Sequence, residues 1–234
     1  MKNIVILMAM ADEAQGLIEH LGLVRTTDII DSKLPMICYQ KTLNGINLSV
    51  VVSGIDVRHD VDNIGSEAAT LMAYEAISKL HPELIISAGT AGGFSMRGAE
   101  IGTVYLSEQH FVYHDRHVPL PGFEQSAVGL YPALQISTLA KALDLPTGVI
   151  STGSSLEKNA KDSRVIERHN VVAKEMEAAG IAWVAMLFNI PMIAMKSITN
   201  LLDEDNKSEQ EFLLNLSYST QCLTEKLIEL LDYL

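Results

Sequence analysis

Asn3-Ile-Val-Ile-Leu-Met8 runs straight into Ala9-Met10-Ala11-Asp12-Glu13, and Ala14, Leu17, Ile18 and Leu21 then recur at helical spacing. The first run is apolar at every residue after Asn3 and rich in β-branched side chains, the pattern of a strand covered on both faces. The second predicts an amphipathic helix over 13–21, with Asp12 and Glu13 in the first turn, where carboxylates complement the helix dipole. A doubly covered strand that feeds a helix belongs to a layered α/β architecture.

The rest of the chain repeats the theme with one excursion. Residues 37–42 and 46–52 read as strands around Asn44-Gly45, the strongest short hairpin signal a sequence offers. Residues 63–80 carry Ile64, Ala68, Leu71 and Ile77 at helical spacing and end before Pro82. A strand over 84–88 leads into the glycine-rich turn Ala88-Gly-Thr-Ala-Gly-Gly93, followed by β-rich stretches at 102–106 and 109–113. A segment ending Val149-Ile150, a helix over about 177–188, a strand over 192–196 and an amphipathic helix over about 209–231 complete the pattern. Alternation of this kind predicts one domain over residues 1–234, a three-layer α/β/α fold around a central mixed sheet.

Composition narrows the functions. The chain has 234 residues, 48% hydrophobic and 20% charged, which suits one sizeable core without a linker. A net charge of −12 argues against nucleic acid as a partner, because backbone affinity rests on clustered Lys and Arg. Cys38 and Cys222 lie far apart and form no metal-ligand or redox spacing, so neither a metal nor a cofactor is expected and a cytoplasmic compartment fits. The apolar run 4–11 lacks the small-residue cleavage site of a signal peptide, and no stretch approaches the roughly twenty apolar residues that span a bilayer.

Ligands in α/β sheets sit beyond the carboxyl ends of the strands, which draws attention to residues 10–13, 87–93, 151–157 and 197–203, and to Glu175-Met176-Glu177 at a helix start. Each glutamate alone has an ordinary explanation as a first-turn residue. The glycine-rich turn lacks a Walker lysine and the dinucleotide spacing. His114-Asp115-Arg116-His117, read as a strand, would send alternate side chains to opposite faces and so could not gather on one ion. No nucleophile elbow is present.

Taken together and in order, Ala9-Met10-x-x-Glu13, Ser53-Gly54-Ile55, the 88–93 segment, Tyr113-His114-Asp115, Ser151-Thr152-Gly153, Glu175-Met176-Glu177-Ala178 and Ile198-Thr199-Asn200 resemble the 5′-methylthioadenosine/S-adenosylhomocysteine nucleosidases. His114-Asp115-Arg116 and Lys196-x-x-Thr199 are closer to the plant-type branch. The resemblance spans nearly the whole chain and implies a nucleoside phosphorylase-like fold, usually a homodimer, that hydrolyses the N-glycosidic bond of 5′-methylthioadenosine, with S-adenosylhomocysteine as a second substrate, to adenine and the thioribose. It implies Glu13 as the base that activates water, Met176 and Glu177 on the ribose, Thr90 and Lys196 near the water and sugar, and Met10, Ile55, Leu156 and Glu175 as further substrate-binding residues. A segment near residues 111–119 would reach a partner's pocket.

Two positions depart from that pattern. Asn200 stands where the family carries the aspartate that protonates N7 of the leaving adenine, and Ser154 stands where relatives usually carry Asp. Asp203 matches a later position and does not replace the acid. An amide donates and accepts hydrogen bonds but has no proton to transfer, which typically costs roughly 10²- to 10⁴-fold in rate. Three readings follow: a substitution engineered to trap substrate, a natural homologue that is slow or prefers 6-oxopurine nucleosides, and a binding protein that keeps the pocket. Ser87 is neutral where phosphorylases of this fold carry arginine, which favours water over phosphate as nucleophile.

Overall fold

The structure is a computed structural model that describes residues 2–157, 159–160, 162–204 and 208–234. The opening strand β1 (Asn3–Met8) is buried from Ile4 onward and passes into α1 (Ala11–Leu21). Strand β2 (Val24–Thr26) precedes the hairpin of β3 (Ile37–Leu43) and β4 (Ile46–Val52), whose turn residues Asn44 and Gly45 both have positive φ, as a tight type I′ turn demands. A small two-stranded hairpin, β5 (Ile55–Asp56) with β6 (Val61–Asp62), leads to α2 (Ser66–Leu80).

Strand β7 (Leu84–Gly93) follows, then β8 (Val104–Tyr113), α3 (Phe123–Val128), β9 (Tyr131–Pro132), α4 (Ser137–Ala142) and β10 (Thr147–Thr152). The chain closes with α5 (Asp162–Arg168), β11 (Val171–Glu175), α6 (Ala178–Leu187), β12 (Met192–Leu201) and α7 (Ser208–Tyr233). The main sheet runs β11-β10-β8-β12-β7-β1-β4-β3-β2, with β9 on β8, and mixes parallel and antiparallel pairs. Strand β11 also pairs with β7, so five strands at one end close on themselves. Helices α2 and α6 pack one face, and α1, α4 and α7 the other. This is the expected three-layer arrangement. No described helix is long and apolar enough to cross a membrane.

The largest departure from the sequence reading is at residues 88–93, which form no turn. They continue β7, held by β12 on one side and β11 on the other. The glycines answer close approach: a Cβ on Gly93 would stand 2.7 Å from the Ala99 Cβ and 3.0 Å from Ile198 Cγ2, and one on Gly89 would meet the Glu13 carboxylate at 3.0 Å. Strand β12 likewise runs five residues past Lys196, and the stretches at 102–106 and 109–113 are one strand that kinks at Gln109, whose φ is positive. Residues 114–117 lie beyond the end of β8, not on it. Their side chains find separate partners: His114 meets Ser151, Asp115 accepts from the Ser154 N–H, and Arg116 stacks on Tyr113.

Replacing Gly93 with Ala is expected to overpack this strand crossing and destabilise the protein by about 1–3 kcal/mol. A fall of roughly 2–10 °C in Tm by calorimetry checks it, and an unchanged Tm would contradict the close-approach explanation.

Candidate active site

A cavity of about 710 Å³ opens at the carboxyl ends of β1, β7 and β11, where the sequence reading looks for it. Met10, Glu13, Thr90, Leu156, Glu175, Met176, Glu177 and Asn200 all line it. Ile55 does not; the hairpin contributes Asp60, Val61 and Asp62 instead. Lys196 stays behind the wall, 2% exposed, with its ammonium 3.0 Å from Glu175.

Glu13 is the third residue of α1, and its carboxylate reaches back to the Met10 N–H at 3.4 Å, as a helix-start residue does. Its stronger bonds cross to another strand. Oε1 accepts from both the N–H and the hydroxyl of Thr90, each at 2.7 Å. Burial pushes the Glu13 carboxyl above the usual range, against the pull of Lys196 and the Thr90 bonds. The result is an oriented, buried carboxylate with a raised affinity for a proton, the property a general base needs.

Glu175 and Glu177 divide the labour. Glu175 accepts from the backbone N–H groups of Glu177 and Ala178, from the Thr152 hydroxyl and from Lys196. It caps α6 and has little capacity left for a ligand. Glu177, the N-cap residue of α6, accepts from the Gly65 N–H at 2.9 Å and opens onto the cavity. Burial and the neighbouring Glu175 raise its carboxyl to about 7, although Lys196 and the Gly65 bond oppose them. Burial also works against the Lys196 ammonium, but Glu175, Glu177 and Glu13 outweigh it and hold the lysine above its usual range.

At the far wall, Asn200 is 1% exposed; its Oδ1 accepts from the Thr199 hydroxyl at 3.0 Å, and its Nδ2 has no partner among the described residues. A buried, unpaired amide donor on a cavity wall is costly unless a ligand accepts from it. Lys174 lines the same wall and donates to the Ser155 and Leu156 carbonyls. Lys174, Phe212 and Asp60–Asp62 are absent from the sequence-based set. Lys174 was detectable as the cation directly before Glu175-Met176-Glu177; the others come from segments that carry no motif.

The family model described as the Phosphorylase superfamily matches residues 3–232. The chain belongs to the phosphorylase superfamily. Within it, the chain is 36% identical to the 5′-methylthioadenosine nucleosidase of Arabidopsis thaliana over 233 residues, 99% of this chain and 87% of that protein. It is 34% identical to the 5′-methylthioadenosine/S-adenosylhomocysteine nucleosidase of the same plant, over 99% and 91%. The apo structure of the Arabidopsis 5′-methylthioadenosine nucleosidase superposes with a TM-score of 0.97 over 99% of this superfamily member and 95% of that chain.

The raised Glu177 carboxyl has a consequence for stability. Its folded-state pKa of about 7 lies above the ordinary value of 4.5, so its contribution is full below 4.5 and is lost as pH rises through 7. Glu177→Gln should therefore raise Tm relative to the parent, by more at pH 8 than at pH 5. An equal difference at both pH values would contradict the burial of this charge.

Proposed function

We propose that the chain hydrolyses the N-glycosidic bond of 5′-methylthioadenosine, with S-adenosylhomocysteine as a second substrate, to release adenine and the thioribose. The observation that carries the reading is Glu13, buried at one side of a nucleoside-sized cavity and held by Thr90, with Glu177 facing the same space. The two plant relatives, alike over nearly the whole chain, support it by their names.

Cleavage of a ribosyl–base bond develops positive charge on the sugar, which carboxylates beside the ribose stabilise while a base deprotonates the attacking water. Glu13 takes that proton. Glu177 accepts from ribose hydroxyls, Met10 and Met176 pack the sugar and its 5′-thioether, and Thr90 keeps Glu13 oriented. Glu175 on the cavity wall and Lys196 behind it position Glu177 and set its charge. Water is favoured over phosphate because a phosphate dianion would approach Glu13 and Glu177, and no arginine lines the cavity among the described residues. No metal or cofactor is invoked. The working unit is a homodimer in the cytoplasm; half-exposed Tyr74, Trp183 and Phe188 on and beside α2 and α6 offer it an apolar face.

The Asn200 amide is the observation behind a second reading, hydrolysis of 6-oxopurine nucleosides, since Nδ2 could donate to a carbonyl oxygen. Inosine cleaved faster than 5′-methylthioadenosine would select it.

Adenine release from 5′-methylthioadenosine, followed by chromatography, should proceed in phosphate-free buffer at the rate seen with phosphate. Glu13→Gln should lower it by roughly 10²-fold or more, and Asn200→Asp should raise it. Its acid limb should lie above the ordinary glutamate range, because Glu13 must be ionised to act. Release that required phosphate would show the hydrolase assignment to be wrong.

A further inference from the structure

An N-glycosidic bond breaks with its electron pair going to the base, and the departing purine nitrogen must acquire a proton or a strong donor. Asn200 has no proton to give. A second donor stands on the same wall. In the sheet register Lys174 of β11 is opposite Gly92 of β7, and Gly92 is opposite Asn200 of β12. Residues opposite one another share a face of a sheet, so Lys174 and Asn200 flank Gly92 from either side, roughly 10 Å apart across two strand spacings. Gly92 is bare where any other residue would place a Cβ 2.8 Å from Leu202 and 3.1 Å from Asn200 Nδ2. The result is a slot with a glycine floor, a neutral amide donor on one side and an ammonium on the other. All three residues line the cavity that holds Glu13 and Glu177.

We propose that Lys174 is the catalytic acid of this site, donating a proton to the leaving base in place of the carboxylic acid absent at position 200. The proposal rests on the hydrolase reading. Water attacks C1′ and gives a proton to Glu13; the C1′–N bond breaks; the base takes its electron pair and a proton from the Lys174 ammonium. The lysine amine and the Glu13 carboxyl then exchange with solvent, leaving one water consumed.

The surroundings of Lys174 suit the task. Two of its three N–H bonds are directed to the carbonyls of Ser155 and Leu156, both in the cavity lining, which fix the nitrogen and, among the described residues, leave one donor over. The charged and titratable groups facing it are Glu175 on its own strand, Asp162 at the start of α5, and Asp115 and His114 after β8. The carboxylates favour the ammonium, but burial prevails and lowers the lysine below its usual range, so it gives up a proton more readily than a solvated lysine.

The test compares two leaving groups in the full-length protein. Lys174→Gln keeps a donor for the loop carbonyls but no transferable proton, and Lys174→Arg keeps the charge but holds its proton too tightly to act as an acid. With a purine nucleoside that the parent chain hydrolyses, both variants should lose roughly 10²-fold or more in kcat with KM little changed. With p-nitrophenyl β-ribofuranoside, whose leaving group departs without a proton, both should stay within about threefold of the parent. Adding Asn200→Asp to the Lys174→Gln variant should restore purine cleavage. Unchanged purine cleavage in either folded variant would overturn the proposal, and so would equal losses on both substrates, which mark a structural role. If the parent chain cleaves no 5′-methylthioadenosine but does cleave another nucleoside, the substrate reading fails while the role of Lys174 is still decided on that nucleoside.

Discussion

One buried lysine among three carboxylates governs this molecule. Lys196 touches Glu175 directly, and its charge acts on Glu177 and Glu13. Three ionised carboxylates with a single counter-charge would leave two uncompensated charges in a region largely shielded from water, which folded proteins avoid by shifting proton affinities. Here the imbalance is displaced onto Glu13 and Glu177, both raised, while Glu175 is saturated by hydrogen bonds. Removing the lysine would leave the carboxylates unopposed, a change of the kind that costs about 3–5 kcal/mol. Such an arrangement is difficult to explain by stability alone and is well matched to a site that binds a developing positive charge on a sugar.

The fold serves this cluster. Five elements meet at it: the start of α1 brings Glu13, β7 brings Thr90, the end of β11 and start of α6 bring Glu175 and Glu177, and β12 brings Lys196. The glycines of β7 let the sheet pass within contact distance of Glu13 and Asn200. The ammonium and the carboxylates therefore come from segments far apart in sequence, assembled by a register that leaves no room for other side chains.

Much of this is legible in the sequence. The doubly apolar strand 3–8, the Asn44-Gly45 hairpin and the periodic helices after residues 11, 66 and 208 announce themselves through patterns local to the chain. The glycine-rich segment 88–93 reads as a turn and is a strand, because glycine reports a need for space or an unusual φ without saying which; here neighbouring strands supply hydrogen bonds and the need is space. Strand β11 escapes a sequence reading because it is five residues long and ends in Lys174-Glu175, charges that only tertiary contacts bury. Among the site residues, motif order points to Glu13, Met176 and Glu177, whereas it also points to Ile55, which lies outside the cavity lining. Lys174 stands beside Glu175-Met176-Glu177 in the sequence, but its place across Gly92 from Asn200 is set by the sheet register.

In the proposed complex the ribose lies against Glu13 and Glu177 while the base occupies the slot at Asn200. A crystal structure of the Glu13→Gln variant with 5′-methylthioadenosine bound tests this placement most directly. The expected result is a water between the substituted side chain at position 13 and C1′, the ribose hydroxyls on Glu177, and the purine over Gly92 within hydrogen-bond distance of Asn200 Nδ2. A nucleoside bound the other way round, with its 5′-thioether in that slot, would contradict it.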